Sequence, residues 1–286
     1  MNKTPLKLIE CPRDAMQGWA HLIPTEKKIA YINQLLKVGF DTLDAGSFVS
    51  PKAIPQMADT KEVISKLTLT GSSTKLLTIV ANERGAQDAV MFDEISYLGF
   101  PFSVSETFQR RNTNSTIEES MARVEDIQTL CIKNKKELVV YISMGFGNPY
   151  GDRFDEEVVF EWVNKMTAID VKIISLADTV GVATPGQVKK MTGYLVNALP
   201  DIEIGVHLHS TAENWKEKLD AAVEAGCRRF DGALKGIGGC PMADDVLVGN
   251  MDTELMIPYF EQLKLLPALD IEALKESSRM ASSIFI

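Results

Sequence analysis

This chain of 286 residues has few cysteines, no long apolar run and no excess of basic charge. Its four cysteines, Cys11, Cys131, Cys227 and Cys240, show no C-x-x-C spacing. That speaks against a zinc cluster or dithiol motif and suits a reducing, cytoplasmic compartment. No stretch approaches the roughly 20 apolar residues of a membrane span, and Met1-Asn2-Lys3-Thr4-Pro5 lacks the apolar centre of a signal peptide. Neither membrane insertion nor export is therefore expected. With 30 basic against 39 acidic residues, for a net charge of -9, nucleic acid and anionic membranes are poor partners. Histidine is scarce too, at three residues.

What is present is a regular alternation. Short apolar or β-branched runs fall at 6–10, 42–45, 76–80, 94–98, 138–143, 172–176, 204–207 and 229–233. Helix-like patterns lie between them, over 26–38, 117–134, 155–168, 185–199 and 214–224. Ser115 followed by Glu118 reads as a capping box for the second of these. Eight strands with no Pro-, Gly- or Ser-rich linker predict one α/β domain over residues 1–286: a single (β/α)8 TIM barrel with a C-terminal helical extension. The alternative, an open doubly wound sheet, would place a glycine-rich phosphate loop after its first strand. That position reads Cys11-Pro12-Arg13-Asp14.

In a barrel, catalytic groups gather where strands end at the carboxyl face. Strand one leads into Arg13 and Asp14, strand two carries Asp44, strand six leads to Asp178, and strand seven to His207 and His209. Alternate strand residues share a face, so both imidazoles can reach one ion. Two imidazoles with a carboxylate and an amide oxygen suit Mg, Mn, Co or Zn. Asp14 is the first carboxylate to add, because only strand eight separates strands one and seven in a closed barrel; a helix cap or an ion pair with Arg13 is its other use. Asn250 follows a glycine and fits a turn as readily as a ligand position. Arg13 stays protonated and suits an enolate stabiliser, or a salt bridge with Glu10, Asp44 or Asp14. Cys240 lies in a loop with Gly236, Gly238 and Gly239, where a thiol can move over a substrate as acid or base, or have no role. Cys11, Cys131 and Cys227 read as packing residues.

Six stretches carry a resemblance. They are Pro12-Arg13-Asp14, Ser47-Phe48-Val49-Ser50-Pro51-Lys52 with Pro55-Gln56-Met57, Ser105-Glu106-Thr107-Phe108, Asp178-Thr179-Val180-Gly181, His207-Leu208-His209, and Gly236-Ile237-Gly238-Gly239-Cys240-Pro241. On these the chain resembles the 3-hydroxy-3-methylglutaryl-CoA lyase family, carbon–carbon lyases built on a (β/α)8 barrel. The resemblance implies a divalent metal, Mg or Mn by preference, on Asp14, His207 and His209, with Asn250 at or near its shell. It implies that Arg13 stabilises a thioester enolate and that Cys240 takes part in proton transfer. It implies an acyl-CoA substrate, cleavage to acetoacetate and acetyl-CoA, a place in leucine degradation, and a homodimer. Asp44 stands where the family usually has glutamate, and Val139 where it has arginine. After His209, Glu213 and Trp215 would reshape the rim. A different 3-hydroxyacyl-CoA and a Claisen-type synthase are the alternative functions.

Overall fold

The protein is described from a computed structural model covering residues 5–239 and 248–286. Its strands are β1 (Lys7–Glu10), β2 (Thr42–Ser47), β3 (Lys75–Ile79), β4 (Ile95–Ser103), β5 (Glu137–Ser143), β6 (Ile173–Ala177), β7 (Glu203–His207), β8 (His209–Ser210), β9 (Arg229–Gly232) and β10 (Gly249–Asn250). β1 to β7 and β9 close, in chain order, into one parallel barrel, with β9 pairing back onto β1. β8 and β10 form a short antiparallel pair just beyond the carboxyl end of β7. The helices are α1 (Pro12–Gln17), α2 (Thr25–Leu35), α3 (Thr60–Ser65), α4 (Glu83–Ala89), α5 (Glu106–Thr113), α6 (Ile117–Lys133), α7 (Glu156–Ala168), α8 (Pro185–Ala198), α9 (Trp215–Glu224), α10 (Thr253–Gln262) and α11 (Ile271–Ile284). The expected (β/α)8 barrel is thus present, and α11 is the C-terminal extension. It packs against α2, with Phe285 edge-on to Trp19 and Tyr31. Among the described residues no helix is long and apolar enough to cross a membrane.

Side-chain alternation along the strands makes two cores. Leu77, Ile79, Tyr97, Val139, Tyr141 and Ile173 fill the barrel interior. Their sequence neighbours, among them Leu76, Leu98, Val140 and Ile174, point outward into the larger layer beneath the helices. The polar groups of the site stand at the carboxyl end, above this apolar filling.

Two local expectations need correction. β4 does not stop at Leu98 but runs through Gly99 and Pro101 to Ser103. Gly99 is there for packing: a Cβ would lie 2.6 Å from Ile79 Cδ1. The capping box of α6 is shifted by one residue. Thr116 Oγ1 accepts from the Glu119 N–H at 3.0 Å, and the Thr116 N–H donates to Glu119 Oε2 at 2.8 Å. Ser115 is buried instead, its hydroxyl bonded to Gln109, Thr113 and Arg123.

Candidate active site

α1 begins one residue after β1, beyond Cys11, with Pro12 at its first position, where the missing N–H costs nothing. This turn delivers Arg13 and Asp14 to the barrel mouth, both nearly buried. Arg13 donates from Nε and Nη2 to Asp44 Oδ2 at 2.9 and 2.5 Å, and from Nη1 to Asp14 Oδ1 and Gln17 Oε1, each at 2.9 Å. A guanidinium has five N–H groups, so four are committed and one remains. Of the open readings for Arg13, salt bridges to Asp44 and Asp14 exist; Glu10 instead accepts from the Leu234 N–H and the Thr253 hydroxyl.

His207 closes β7 and His209 opens β8, so the imidazoles flank the interruption at Leu208 with ring centroids 5.4 Å apart. One ligand atom each from Asp14, His207 and His209 lies within 4.8 Å of the other two. Asn250 is not in a turn. It sits in β10, in register with His209, and that antiparallel pairing brings its amide to the site. Nδ2 donates to Asp14 Oδ2 at 2.7 Å and to the Ile237 carbonyl at 2.9 Å. Gly238 permits the approach, since a Cβ there would stand 2.4 Å from Asn250 Nδ2. Asn250 Oδ1 is buried without a hydrogen-bond partner among the described residues. A buried carbonyl oxygen of that kind is a donor awaiting a cation. The donor set therefore fits a divalent metal.

Charge states agree with this use. Burial raises the Asp14 pKa, but Arg13, His207, Asn250 and His209 outweigh it and hold the carboxyl down at about 2. Burial and the neighbouring His207 push His209 down to about 4, leaving a neutral imidazole able to ligate. His207 goes the other way: burial opposes charge, yet its contact with Asp231 raises it above the ordinary value. Burial pushes Asp44 up to about 6 against the pull of Arg13.

A cavity of about 300 Å³ opens over these groups. Arg13, Asp14, His207 and His209 line one side; Val49, Ile54, Ile79, Phe108 and Tyr141 contribute an apolar wall. Trp215 and Glu213 do not reach it. Trp215 packs edge-on against Tyr259, and Glu213 is exposed. Asp178, although at the end of β6, is bound to Lys218 (Nζ to Oδ2, 2.7 Å) and accepts from the Ala183 N–H. Cys240 lies outside the described residues.

Three contributors escaped sequence reasoning. Asp231 Oδ2 is 3.2 Å from His207 Nδ1, the arrangement that fixes a ligating imidazole's orientation. A carboxylate at the end of the eighth strand was the available signal. Lys218, fully buried on α9, also donates to the His209 carbonyl at 2.8 Å and so pins the strand that carries the second histidine. Tyr141, in β5, stands edge-on to His207. Neither Lys218 nor Tyr141 has a local pattern that would mark it.

These features define a closed (β/α)8 barrel with a possible divalent-metal site at its carboxyl face. A family model described as HMGL-like matches residues 7–281. The chain belongs to that family. It is 33% identical over 275 residues to the rat protein named 3-hydroxy-3-methylglutaryl-CoA lyase, cytoplasmic, covering 95% of this chain and 79% of the relative. It is 32% identical over 276 residues to mouse hydroxymethylglutaryl-CoA lyase, mitochondrial, covering 95% and 83%. Among solved structures, an HMG-CoA lyase from Acinetobacter baumannii, described in complex with coenzyme A and 3-methylmalate, superposes with a TM-score of 0.91 at 33% identity, covering 100% of this chain and 92% of that one.

Proposed function

We propose that the protein is a metal-dependent carbon–carbon lyase that cleaves 3-hydroxy-3-methylglutaryl-CoA to acetoacetate and acetyl-CoA. One observation carries the reading: in a chain of this family, Arg13, Asp14, His207 and His209 line one cavity, and Asn250 donates to Asp14 beside it. Asp14, His207, His209 and Asn250 would hold the divalent ion, Mg or Mn by preference because the set contains no sulfur. When bound, it supplies Lewis acidity that lowers the cost of ionising the substrate's tertiary hydroxyl.

The chain's own residues do the rest. Asp44 holds the Arg13 fork, leaving one N–H to donate to the thioester oxygen as negative charge builds on it. Asp231 orients His207, and Lys218 holds the backbone of His209. The apolar wall limits water at the reacting carbon. Cys240 is proposed as the proton donor to the enolate carbon, from its place in the Gly236 to Pro241 stretch.

A second reading keeps this chemistry and changes the acyl group. It is favoured by the apolar wall and by Arg13 being the sole Lys or Arg among the described lining residues. A cytoplasmic location is proposed from the three described cysteines, all free and buried. The test is direct: strip the protein of metal, add 3-hydroxy-3-methylglutaryl-CoA with and without Mg2+ or Mn2+, and measure both products. Metal-dependent release of acetoacetate and acetyl-CoA supports the proposal. Retained metal without turnover moves the assignment to another 3-hydroxyacyl-CoA.

A further inference from the structure

His207 belongs to two groups of ligand atoms. Besides the one with Asp14 and His209, ligand atoms of Cys11, His207 and Asp231 all lie within 4.8 Å of one another. The topology explains the meeting. Cys11 directly follows β1, and its N–H donates to the Gly232 carbonyl, so the thiol lies beside β9. Asp231 is on β9, in register with His207 on β7. Cys11 and Asp231 are each at least 98% buried (1% and 2% exposed). His207 Nδ1 faces Asp231 Oδ2 at 3.2 Å, while Asp231 Oδ1 has no hydrogen-bond partner among the described residues. An unpaired carboxylate oxygen in such a place points to a missing ligand.

We propose that Cys11, His207 and Asp231 form a second cation site, selective for thiophilic divalent ions such as Zn2+ or Cd2+ and distinct from the group that includes Asp14. Sulfur is the reason for the selectivity: Mg2+ and Mn2+ prefer the oxygen and nitrogen donors of the first group, whereas a thiolate favours softer ions. Charge balance is the reason for the fit. A divalent ion in a dry site needs two negative ligands, and Cys11 as thiolate with Asp231 as carboxylate supply them. Burial raises the Cys11 thiol above its ordinary value, and Asp231, Asp44, Asp14 and Glu10 raise it further, so the thiolate forms only as the ion takes the place of the proton; Arg229, two residues before Asp231 on the same strand, is the neighbouring cation. Binding forms one metal–sulfur bond, and both the thiol proton and the proton shared by His207 Nδ1 and Asp231 are released to solvent. It also separates Nδ1 from Asp231, so a thiophilic ion disturbs the histidine that the first group needs.

The proposal stands on this geometry and shares His207 and its partner Asp231 with the lyase reading, while Cys11 belongs to the second site alone. The test is a Cd2+ titration of the full-length, Mg2+-saturated protein, following the ultraviolet thiolate-to-cadmium charge-transfer band in the native protein, C11S, C11A and C240S. One equivalent of the band is expected in the native protein and in C240S, with at least a tenfold loss in both Cys11 variants. No band in the native protein, or a band that survives in C11S and C11A, overturns it. Anomalous diffraction from Cd2+-soaked native crystals needs no variant. A peak between Cys11, His207 and Asp231 supports the site, and cadmium placed only elsewhere refutes it. A protein inactive on 3-hydroxy-3-methylglutaryl-CoA that still gives the Cys11-dependent band would separate the failure of the lyase reading from the failure of this one.

Discussion

Replacing Lys218 with methionine keeps the stem of the side chain and removes only its charge and its N–H donors. Both Lys218 and Asp178 side chains are 1% exposed and joined at 2.7 Å, and the same ammonium also serves the His209 and Gly181 carbonyls at 2.8 and 3.3 Å. Lys218→Met therefore strands a buried carboxylate. Breaking one side of a buried pair costs about 3–5 kcal/mol. In a chain of this size that lowers the thermal midpoint by roughly 5–8 °C. The freed His209 carbonyl should also loosen the second imidazole, weakening Mn2+ binding by about tenfold. Differential scanning fluorimetry and Mn2+ calorimetry read the two effects. Lys216→Met is the control, because its pair with Asp220 is exposed and is worth under about 1 kcal/mol. Adding Asp178→Asn should recover part of the loss, since asparagine still accepts from Ala183 without an unpaired charge. A Lys218→Met protein melting within about 2 °C of the native one, or a double variant no better than the single, would refute the reasoning.

Asn250→Ala removes the orphaned amide oxygen and the donor to Asp14, so Mn2+ affinity should fall about 10- to 100-fold; an unchanged Kd by calorimetry would take Asn250 out of the ligand set. Asp44→Asn weakens the clamp on Arg13, so steady-state kinetics should show kcat lower by about 100-fold with metal affinity nearly unchanged; native-like kcat contradicts the assigned positioning. Glu10, fully buried, is pushed up to about 8 by desolvation against its bonds from Thr253 and Leu234. Its folded pKa exceeds the unfolded one, so the stability it contributes is full below about pH 4.5 and lost as pH rises through 8. Glu10→Gln should therefore gain stability relative to the native protein between pH 5 and 8, by a few kcal/mol in urea unfolding; parallel profiles for the two proteins would count against this.

Much of the fold was readable because the strand pattern is local. A buried parallel strand must be apolar over a few residues, and five of the eight runs were followed by a helical period. Local reading failed where a residue answers to a distant neighbour. The fourth strand runs past the expected Leu98 to Ser103, and Gly99 makes room there for the Ile79 side chain. The helix cap moved from Ser115 to Thr116 because the Ser115 hydroxyl is used by Gln109 and Arg123. Within the S-F-V-S-P-K and P-Q-M stretches the positions differ: Ser50, Pro51 and Lys52 are exposed, whereas Gln56 and Met57 are buried. Gln56 is buried and accepts from the Ile23 N–H, and Lys28 donates to the Gln56 carbonyl, while Val49 faces the cavity.

The amino-acid sequence alone determined the barrel, the H-x-H pair and the Arg13-Asp14 step, because strand periodicity and adjacency act over one to four residues. Only the tertiary structure decided that Asn250 pairs with His209, that Asp178 is consumed by Lys218, and that Asp231 and Cys11 stand behind His207. Those partners lie 24 to 196 residues apart in the chain. Closing the barrel brings them within hydrogen-bond reach, and burial then makes each unpaired polar group costly enough to require one specific partner.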